Sequence, residues 1–429
     1  MLTAASSLPE WLAWLETLSP KEIDLGLARV KAVLDRLSLA MPRHRLLVAG
    51  TNGKGSSVAM LDALLLTADH KVGAYTSPHL IRYNERIAVN GAAVSDEEIV
   101  AAFERVEAVR DGLPLTYFEY GTLAAMVIFS QSELDVWILE IGLGGRLDAC
   151  NVLEPTASLI TNVALDHCDW LGHDVETIAV EKAGVMRHGV PTVFGSRDVP
   201  HTIRRAAEAS GAHLSLPGDG YDYDALPDGR WNWRGRSARL NELPPPRLHG
   251  AFQTGNAAAV LALLEAAGLE DALRAELVQR VLPEVTLAGR LQTVHAAGRD
   301  WLLDVAHNPA GAAALADALA AGSMAGETWA IVGILDDKDV EGIASSLDAV
   351  VDCWIAVTAD SPRAIAADEL ARRISNSRNR PCRIADSLQE AMEYAQRNAA
   401  EDDRILLTGS FFLIGPALQK LELYSRPES

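Results

Sequence analysis

Cysteine is scarce in this chain: four residues in 429, Cys150, Cys168, Cys353 and Cys382, scattered with no Cys-x-x-Cys pair. That spacing offers no paired-cysteine framework and suits a reducing cytoplasm. The N-terminus has no basic flank followed by an apolar signal core, and no apolar run approaches the roughly 18 residues that a bilayer span requires. Membrane insertion is therefore not expected. Basic residues are outnumbered, Lys+Arg 38 against Asp+Glu 58, for a net charge of −20. Such a balance disfavours a nucleic-acid or anionic-membrane partner, so any phosphate must be bound locally, by loops and isolated cations. Solenoid-spaced repeats and low-complexity tracts are also missing. With 49% hydrophobic and 22% charged residues over 429 positions, two domains are expected.

What the sequence does contain is a glycine-rich turn, Gly50-Thr51-Asn52-Gly53-Lys54-Gly55-Ser56, directly after the apolar run Leu46-Leu47-Val48-Ala49. Small residues between a buried strand and a helix let backbone N–H groups turn onto phosphate oxygens. The helix N-terminus adds partial positive charge and Lys54 a full one. The spacing departs from the commonest phosphate-loop pattern: Gly55 intervenes between Lys54 and the hydroxyl of Ser56, and Val48 stands where the first glycine would be. The plainer reading is a simple βα turn, but three glycines, a lysine and a serine within seven residues favour nucleotide chemistry.

Between residues 45 and 195, apolar runs (46–49, 72–75, 136–141, 157–162, 192–194) alternate with helix-like stretches near 56–68, 96–110, 119–131 and 175–186. The fold class predicted is α/β, with a doubly wound parallel sheet. The segment 213–247, with its Asp-Gly pairs, Trp231, Trp233 and Pro244-Pro245-Pro246, reads as short antiparallel strands that decorate the domain without extending its sheet. Its tryptophans read as local packing. Residues 250–282 are helical, and βα alternation restarts with strands at 301–305, 329–333, 353–357 and 404–408, so a second α/β domain begins near 285–300.

Polar side chains gather where strands end. Glu140 closes the run Val136–Leu139, placing a carboxylate at the crevice where open α/β sheets bind ligands. It can cap the following turn, or hold Mg²⁺, which prefers oxygen donors and accompanies ATP chemistry. Ser77 follows the strand at 72–75, and either Asp166 or His167, after the strand at 157–162, could reach a metal. Asp304 lies at the end of the strand at 301–305, His307 and the Asn308-Pro309 pair follow it, and Ser410 follows the last strand. A helix entry explains Asn308-Pro309 equally well.

Seven strings together identify a resemblance: Gly-Thr-Asn-Gly-Lys-Gly-Ser at 50–56, Thr-Ser-Pro-His at 76–79, Thr-Tyr-Phe-Glu at 116–119, Leu-Glu-Ile-Gly-Leu-Gly-Gly-Arg-Leu-Asp-Ala at 139–149, Leu-Asp-His at 165–167, Glu-Lys-Ala-Gly at 181–184 and Asp-Val-Ala-His-Asn-Pro at 304–309. From about residue 11 to about 415 the chain resembles the folylpolyglutamate synthase family of the Mur ligase superfamily, in its bifunctional dihydrofolate synthase/folylpolyglutamate synthase form. The phosphate loop alone would indicate only the superfamily; the strings at 116–119 and 139–149 separate folate ligases from cell-wall Mur ligases. The resemblance implies an N-terminal phosphate-loop ATPase domain of the Mur ligase central type over residues 1–287. It also implies a C-terminal Rossmann-like glutamate-ligase domain over residues 288–429, with the active site in the cleft between the two and a monomeric, cytoplasmic enzyme.

Carried over by position, the resemblance gives Thr51, Asn52, Gly53, Lys54, Gly55 and Ser56 the ATP phosphates, and Asn256, Arg290 and Asp304 other contacts with the nucleotide. Ser77, Glu140 and His167 become ligands of Mg²⁺. Lys182 is the lysine that this family carbamylates, which would help hold a second Mg²⁺; the plainer alternative is a surface lysine near a helix C-terminus. Ile23, Asp24 and Leu25, Thr116, Tyr117, Phe118 and Glu119, and Leu147, Asp148 and Ala149 would line the pteroate site. His307 and Ser410 fall where the family places the incoming glutamate. Ser56 replaces a threonine common in the loop and keeps its hydroxyl.

The reaction implied is ATP-dependent addition of L-glutamate to dihydropteroate, forming dihydrofolate, and to reduced folates, forming polyglutamates. A carboxylate is a poor electrophile, so ATP first converts it to an acyl phosphate, with Lys54 and two Mg²⁺ ions neutralising charge on the transferred group. The α-amine of glutamate then displaces phosphate. His307, metal-bound solvent or free solvent could take the amine proton. The alternatives are a ligase that only extends polyglutamate, a cell-wall Mur ligase using the same ATP chemistry, and a nucleotide-dependent switch that ignores glutamate.

Overall fold

The computed structural model describes residues 6–19, 24–296, 298–322, 326–378 and 381–421. The chain divides into two compact units, the first comprising Met1–Ala164, Leu171–Arg247 and Thr254–Val285, the second Leu165–Trp170, Leu248–Gln253 and Thr286–Ser429. Each is built on its own sheet.

The strands of the first unit are β1 (His44–Ala49), β2 (Val72–Tyr75), β3 (Ile87–Val89), β4 (Ala92–Ala93), β5 (Val136–Glu140), β6 (Ala157–Ile160), β7 (Pro191–Phe194), β8 (His213–Pro217), β9 (Gly220–Ala225), β10 (Trp231–Arg234) and β11 (Arg239–Leu243). They form one sheet in the order β11-β10-β9-β8-β7-β6-β1-β5-β2-β3-β4. Strand β1 pairs in parallel with both β5 and β6, so the chain leaves it to one side and later returns to the other. That is a topological switch point, and such points create a crevice at the carboxyl ends of the strands. The strands read as unbroken apolar runs because both faces are covered: every residue of β2, β5 and β6 is buried. Trp137 on β5, with Phe129 of the helix Tyr117–Gln131 at 5.7 Å between ring centroids, belongs to the core of this unit.

One expectation fails here. The segment 213–247 extends the sheet, because β8 pairs in parallel with β7, Pro191 opposite His213 and Val193 opposite Ser215, before the antiparallel strands β9 to β11 continue the order. Local turn chemistry predicted the short strands but carried no information about their neighbour. Trp231 and Trp233 do serve packing: their indole N–H groups donate to the carbonyls of Pro244 at 2.9 Å and Ala258 at 3.0 Å, the latter on the helix Phe252–Ala266.

The second unit contains β12 (Gln292–Ala296), β13 (Arg299–Leu303), β14 (Thr328–Val332), β15 (Cys353–Ala356), β16 (Arg383–Ile384) and β17 (Arg404–Thr408). The order is β12-β13-β17-β14-β15-β16, antiparallel for the first pair and parallel thereafter. Helices Pro309–Ala321, Val340–Leu347 and Ala367–Arg378 bring Leu315, Ile343 and Ile374 into its core. The α/β class with a parallel sheet in each part is what the alternating apolar runs predicted.

Candidate active site

The turn after β1 is fixed from behind by the exit of β6. The amide of Thr51 donates to the carbonyl of Asn162 (3.1 Å), and the amide of Asn52 donates to the Asn162 side chain (3.0 Å). The Asn162 amide nitrogen in turn donates to the carbonyl of Asn52 (3.0 Å), and the Thr161 hydroxyl donates to the same carbonyl (2.6 Å). The Thr51 hydroxyl receives the amide of Ala164 at 3.0 Å. Two of the turn's three glycines are required by shape. Gly50 (φ +146°) lies against the Thr161 side chain with no room for a Cβ, and Gly53 (φ +85°) would set a Cβ 2.8 Å from Oδ1 of Asn256.

Gly53 caps the helix Lys54–Thr67, whose first amides have no partners within the helix. The Lys54 ammonium lies over the turn, donating to the carbonyls of Gly50 (3.1 Å) and Thr51 (3.2 Å). A tight turn, a helix N-terminus and a lysine over it fit a polyphosphate. Thr51, Ser56 and Asn256 are buried around it.

Glu140 ends β5 next to this turn, in register with Val48. It is 5% exposed, and one carboxylate oxygen accepts the amide of Ser77 at 3.3 Å. The structure thus brings Ser77 and Glu140 together. Among the described residues no group of three or more His, Cys, Asp or Glu side chains is arranged to hold a metal ion. Mg²⁺ does not require one, because it is commonly held by one or two carboxylates together with substrate phosphates and water, and a hydroxyl and a carboxylate beside a phosphate turn fit that donor set. Lys182, on the helix Val175–Ala183, is 3% exposed, which excludes the surface-lysine reading.

Further along the first unit, Asp148 is buried at the cap of a short 3₁₀ turn, accepting the amides of Leu143 (3.1 Å) and Cys150 (2.9 Å). Burial pushes its carboxyl up to about 6 in spite of those bonds. Thr116 and Glu119 form the capping box of the helix Tyr117–Gln131. The rings of Tyr117 and Phe118 lie 5.8 Å from Tyr83 and 6.0 Å from Tyr75. Asp24 is joined to Glu119 through Arg29. Leu25, Leu147 and Ala149 lie in the same unit; Ile23 falls outside the described residues.

In the second unit a dense charged cluster gathers at strand ends. The Asp166 carboxylate accepts from the Lys338 ammonium (2.7 Å) and the Asn308 side-chain amide (2.9 Å), and lies 3.4 Å from Nε2 of His307. Burial alone would raise the Asp166 carboxyl. The hydrogen bond and charge of His307, with His167 and Lys338, outweigh that and hold it far below the usual carboxylate range. His167 has a left-handed backbone (φ +50°), a conformation that costs a non-glycine residue about 1 kcal/mol or more and persists where its surroundings fix it. Burial lowers its imidazole to about 4, leaving it neutral near pH 7, the form that binds metals.

His307 is oriented by the Val305 carbonyl, 2.8 Å from Nδ1. Asp304 accepts the amides of Leu291 (2.9 Å) and Ala306 (2.8 Å), and burial raises its carboxyl. The Arg290 guanidinium lies 5.1 Å from the centre of the Phe411 ring. Ser410 caps the helix Phe411–Lys420.

Sequence reasoning missed Lys338 and Asp337, whose carboxylate lies 3.2 Å from the Lys338 ammonium and 3.8 Å from Nδ1 of His167. They follow β14 within the run Asp336-Asp337-Lys338-Asp339, which looks like a solvated loop; the available signal was its position between a sheet strand and a helix. Arg29 was missed as well, since a single arginine at the start of an amphipathic helix has no distinguishing pattern.

Residues 289–411 match the family described as Mur ligase, glutamate ligase domain. Over 423 residues the chain is 40% identical to the dihydrofolate synthase/folylpolyglutamate synthase of Escherichia coli, covering 98% of this chain and 96% of that protein. The structure of E. coli FolC in complex with DHPP and ADP superposes with a TM-score of 0.92 at 38% identity, covering 99% of both chains. A bifunctional folylpolyglutamate synthase/dihydrofolate synthase with Mn, AMPPNP and L-glutamate bound gives 0.89 at 38% identity, covering 98% of this chain and 99% of the other.

Proposed function

The chain belongs to the dihydrofolate synthase/folylpolyglutamate synthase family of ATP-dependent ligases, and on that premise we propose that it joins L-glutamate to dihydropteroate and to reduced folates through an acyl phosphate. The observation that carries this reading is the turn at Gly50–Ser56, with Lys54 above it and the buried Glu140 carboxylate at the adjacent strand end.

Lys54 and the amides at the start of its helix stabilise charge as the γ-phosphoryl group passes to the substrate carboxylate. Asn256, Arg290 and Asp304 are assigned to the nucleotide. Ser77, Glu140 and His167 are assigned to a divalent cation, and Lys182, as its carbamate, to a second; when bound, such ions neutralise phosphate charge and orient the transferred group. The burial of Lys182 supports this assignment, since an anionic carbamate away from solvent needs a cationic partner. Asp24, Leu25, Thr116–Glu119 and Leu147–Ala149, with Ile23, are assigned to an extra pterin site that accepts dihydropteroate. Ser410 is assigned to glutamate. His307 is assigned to glutamate as well; its Nδ1 faces a carbonyl and its Nε2 lies 3.4 Å from Asp166, so it takes the amine proton only once that contact opens, and solvent is the alternative base.

We assign residues 1–287 to an ATP-binding domain that also takes the pteroate substrate and 288–429 to a glutamate-ligase domain that adds Arg290 and Asp304 to the nucleotide. We assign the protein to a reducing cytoplasm, with which the four free cysteines agree, and to a monomeric state; among the described residues no helix is long and apolar enough to cross a membrane.

The test is ADP release measured separately with dihydropteroate plus glutamate and with tetrahydrofolate plus glutamate. Release is expected with each and requires glutamate. Release with tetrahydrofolate alone leaves only the polyglutamate activity, and release solely with a muramyl peptide acceptor makes the protein a cell-wall ligase.

A further inference from the structure

Arg29 is the second residue of the helix Ala28–Leu37, and its side chain is only 20% exposed. Its guanidinium is divided between two distant segments. Nε donates to Oε2 of Glu119 at 2.9 Å, Nη1 donates to Oδ2 of Asp24 at 2.6 Å, and Nη2 donates to the Asp24 backbone carbonyl. Both the side chain and the main chain of Asp24 are therefore anchored by one group. Residues 24–26 have no regular secondary structure of their own, so no strand or helix ladder fixes them.

At the other end, Oε2 of Glu119 also accepts the amide of Thr116 at 2.7 Å, while the Thr116 hydroxyl accepts the amide of Glu119 at 3.3 Å. One carboxylate oxygen thus closes the cap of the helix Tyr117–Gln131 and receives Arg29. Glu119 is 4% exposed, and its other oxygen, Oε1, is buried with no hydrogen-bond partner among the described residues. A carboxylate so deeply buried needs a cation, and Arg29 provides it. Desolvation opposes the charge on Arg29, but the bond to Glu119 and the charges of Glu119 and Asp24 prevail and raise its already high value.

We infer that Arg29 is a positioning residue that clamps the Asp24–Leu25 segment to the capped start of the helix Tyr117–Gln131, and so governs acceptance of dihydropteroate separately from extension of reduced folates. The inference rests on the assignment of Asp24, Leu25 and Thr116–Glu119 to an extra pterin site that accepts dihydropteroate and is not used by reduced folates. Lysine cannot replace arginine here: its ammonium is a point charge on a flexible stem, whereas the planar guanidinium holds acceptors in two directions at once. An untethered Asp24 segment samples positions away from the acceptor, and displacements of about 1 Å in positioning elements can cost up to about 100-fold.

The test is steady-state kinetics of Arg29→Lys and Arg29→Met with each acceptor, alongside thermal melting. Arg29→Lys keeps the charge that compensates Glu119 and is expected to melt near the wild type, while KM for dihydropteroate rises about tenfold. KM for tetrahydrofolate and for ATP stays within about twofold, since the segment being released is assigned to the other acceptor. Arg29→Met is expected to show the same split, larger, with a lowered melting temperature. If both acceptors lose activity in parallel, or neither KM moves in Arg29→Lys, the positioning role is overturned. Wild-type protein that is inactive with dihydropteroate overturns the functional assignment instead; active wild type with an unchanged Arg29→Lys overturns only this inference.

Discussion

The turn at Gly50–Ser56 in the first unit prepares for charge with backbone, whereas the cluster around Asp166 in the second unit holds charge with side chains. In the turn, a short contiguous segment with two glycines in unusual conformations is pinned by Thr161 and Asn162, and a single lysine lies on its carbonyls. In the cluster, Asp166, Asn308, His307 and Lys338 come from three separate stretches of chain and satisfy one another. The difference has an energetic consequence. A lysine on its own loop can be removed with little effect on folding, but a lysine that compensates a buried carboxylate cannot.

Lys54→Ala is accordingly expected to give the largest loss of function: glutamate-dependent ADP release falls about 1,000-fold or more, as for removal of a group that stabilises the transferred phosphoryl. Melting should barely change, because Lys54 donates to two carbonyls of its own turn. Retention of a tenth of the activity would mean that the backbone amides suffice. Lys338→Met should reverse the pattern. With the Lys338 and Asp166 side chains only 6% and 7% exposed, its loss is expected to destabilise the protein by about 3 kcal/mol, at the lower end for a broken buried pair because Asn308 and His307 remain. Denaturant unfolding of this variant with a midpoint like that of wild type would erase the contrast between the two regions.

A smaller effect tests the electrostatics of both units together. His79 is lowered to about 3 by burial and by Arg86, and His167 to about 4 mainly by burial, both from an ordinary value of 6.5. Between those limits the unfolded chain binds protons that the folded chain refuses, so stability is complete above pH 6.5 and falls as pH drops toward 4 and then 3. The stability advantage of wild type over His79→Gln should therefore shrink as the buffer is taken from pH 7 to pH 4. An advantage that is constant with pH would show that the imidazole is not shielded as its burial requires.

Legibility followed the same division. The helix Asp96–Arg110 matches its predicted span because Ser95 and Glu98 form a local capping box, and β1 and β5 were evident as apolar runs. The edge strands β8 to β11 were recognised as strands but misjudged in their pairing, because pairing with β7 is a non-local choice. The strand-end positions of Glu140 and Ser77 were legible from the apolar runs before them, and the structure sets the two side by side. The burial of Lys182 and Lys338 could not be read from their neighbours in sequence, since each becomes enclosed only when other segments pack over it.

By itself, the sequence determined the alternation of strands and helices, the glycine turn with its lysine, and membership of a ligase family, because these depend on residues close together along the chain or on strings shared with relatives. Only the tertiary structure decided that the sheet of the first unit runs on through eleven strands, that Lys338 compensates Asp166, and that Arg29 joins Asp24 to Glu119. Those outcomes turn on desolvation and on charges meeting across long stretches of chain, and a charged residue has the same local pattern whether it ends in solvent or in a buried pair.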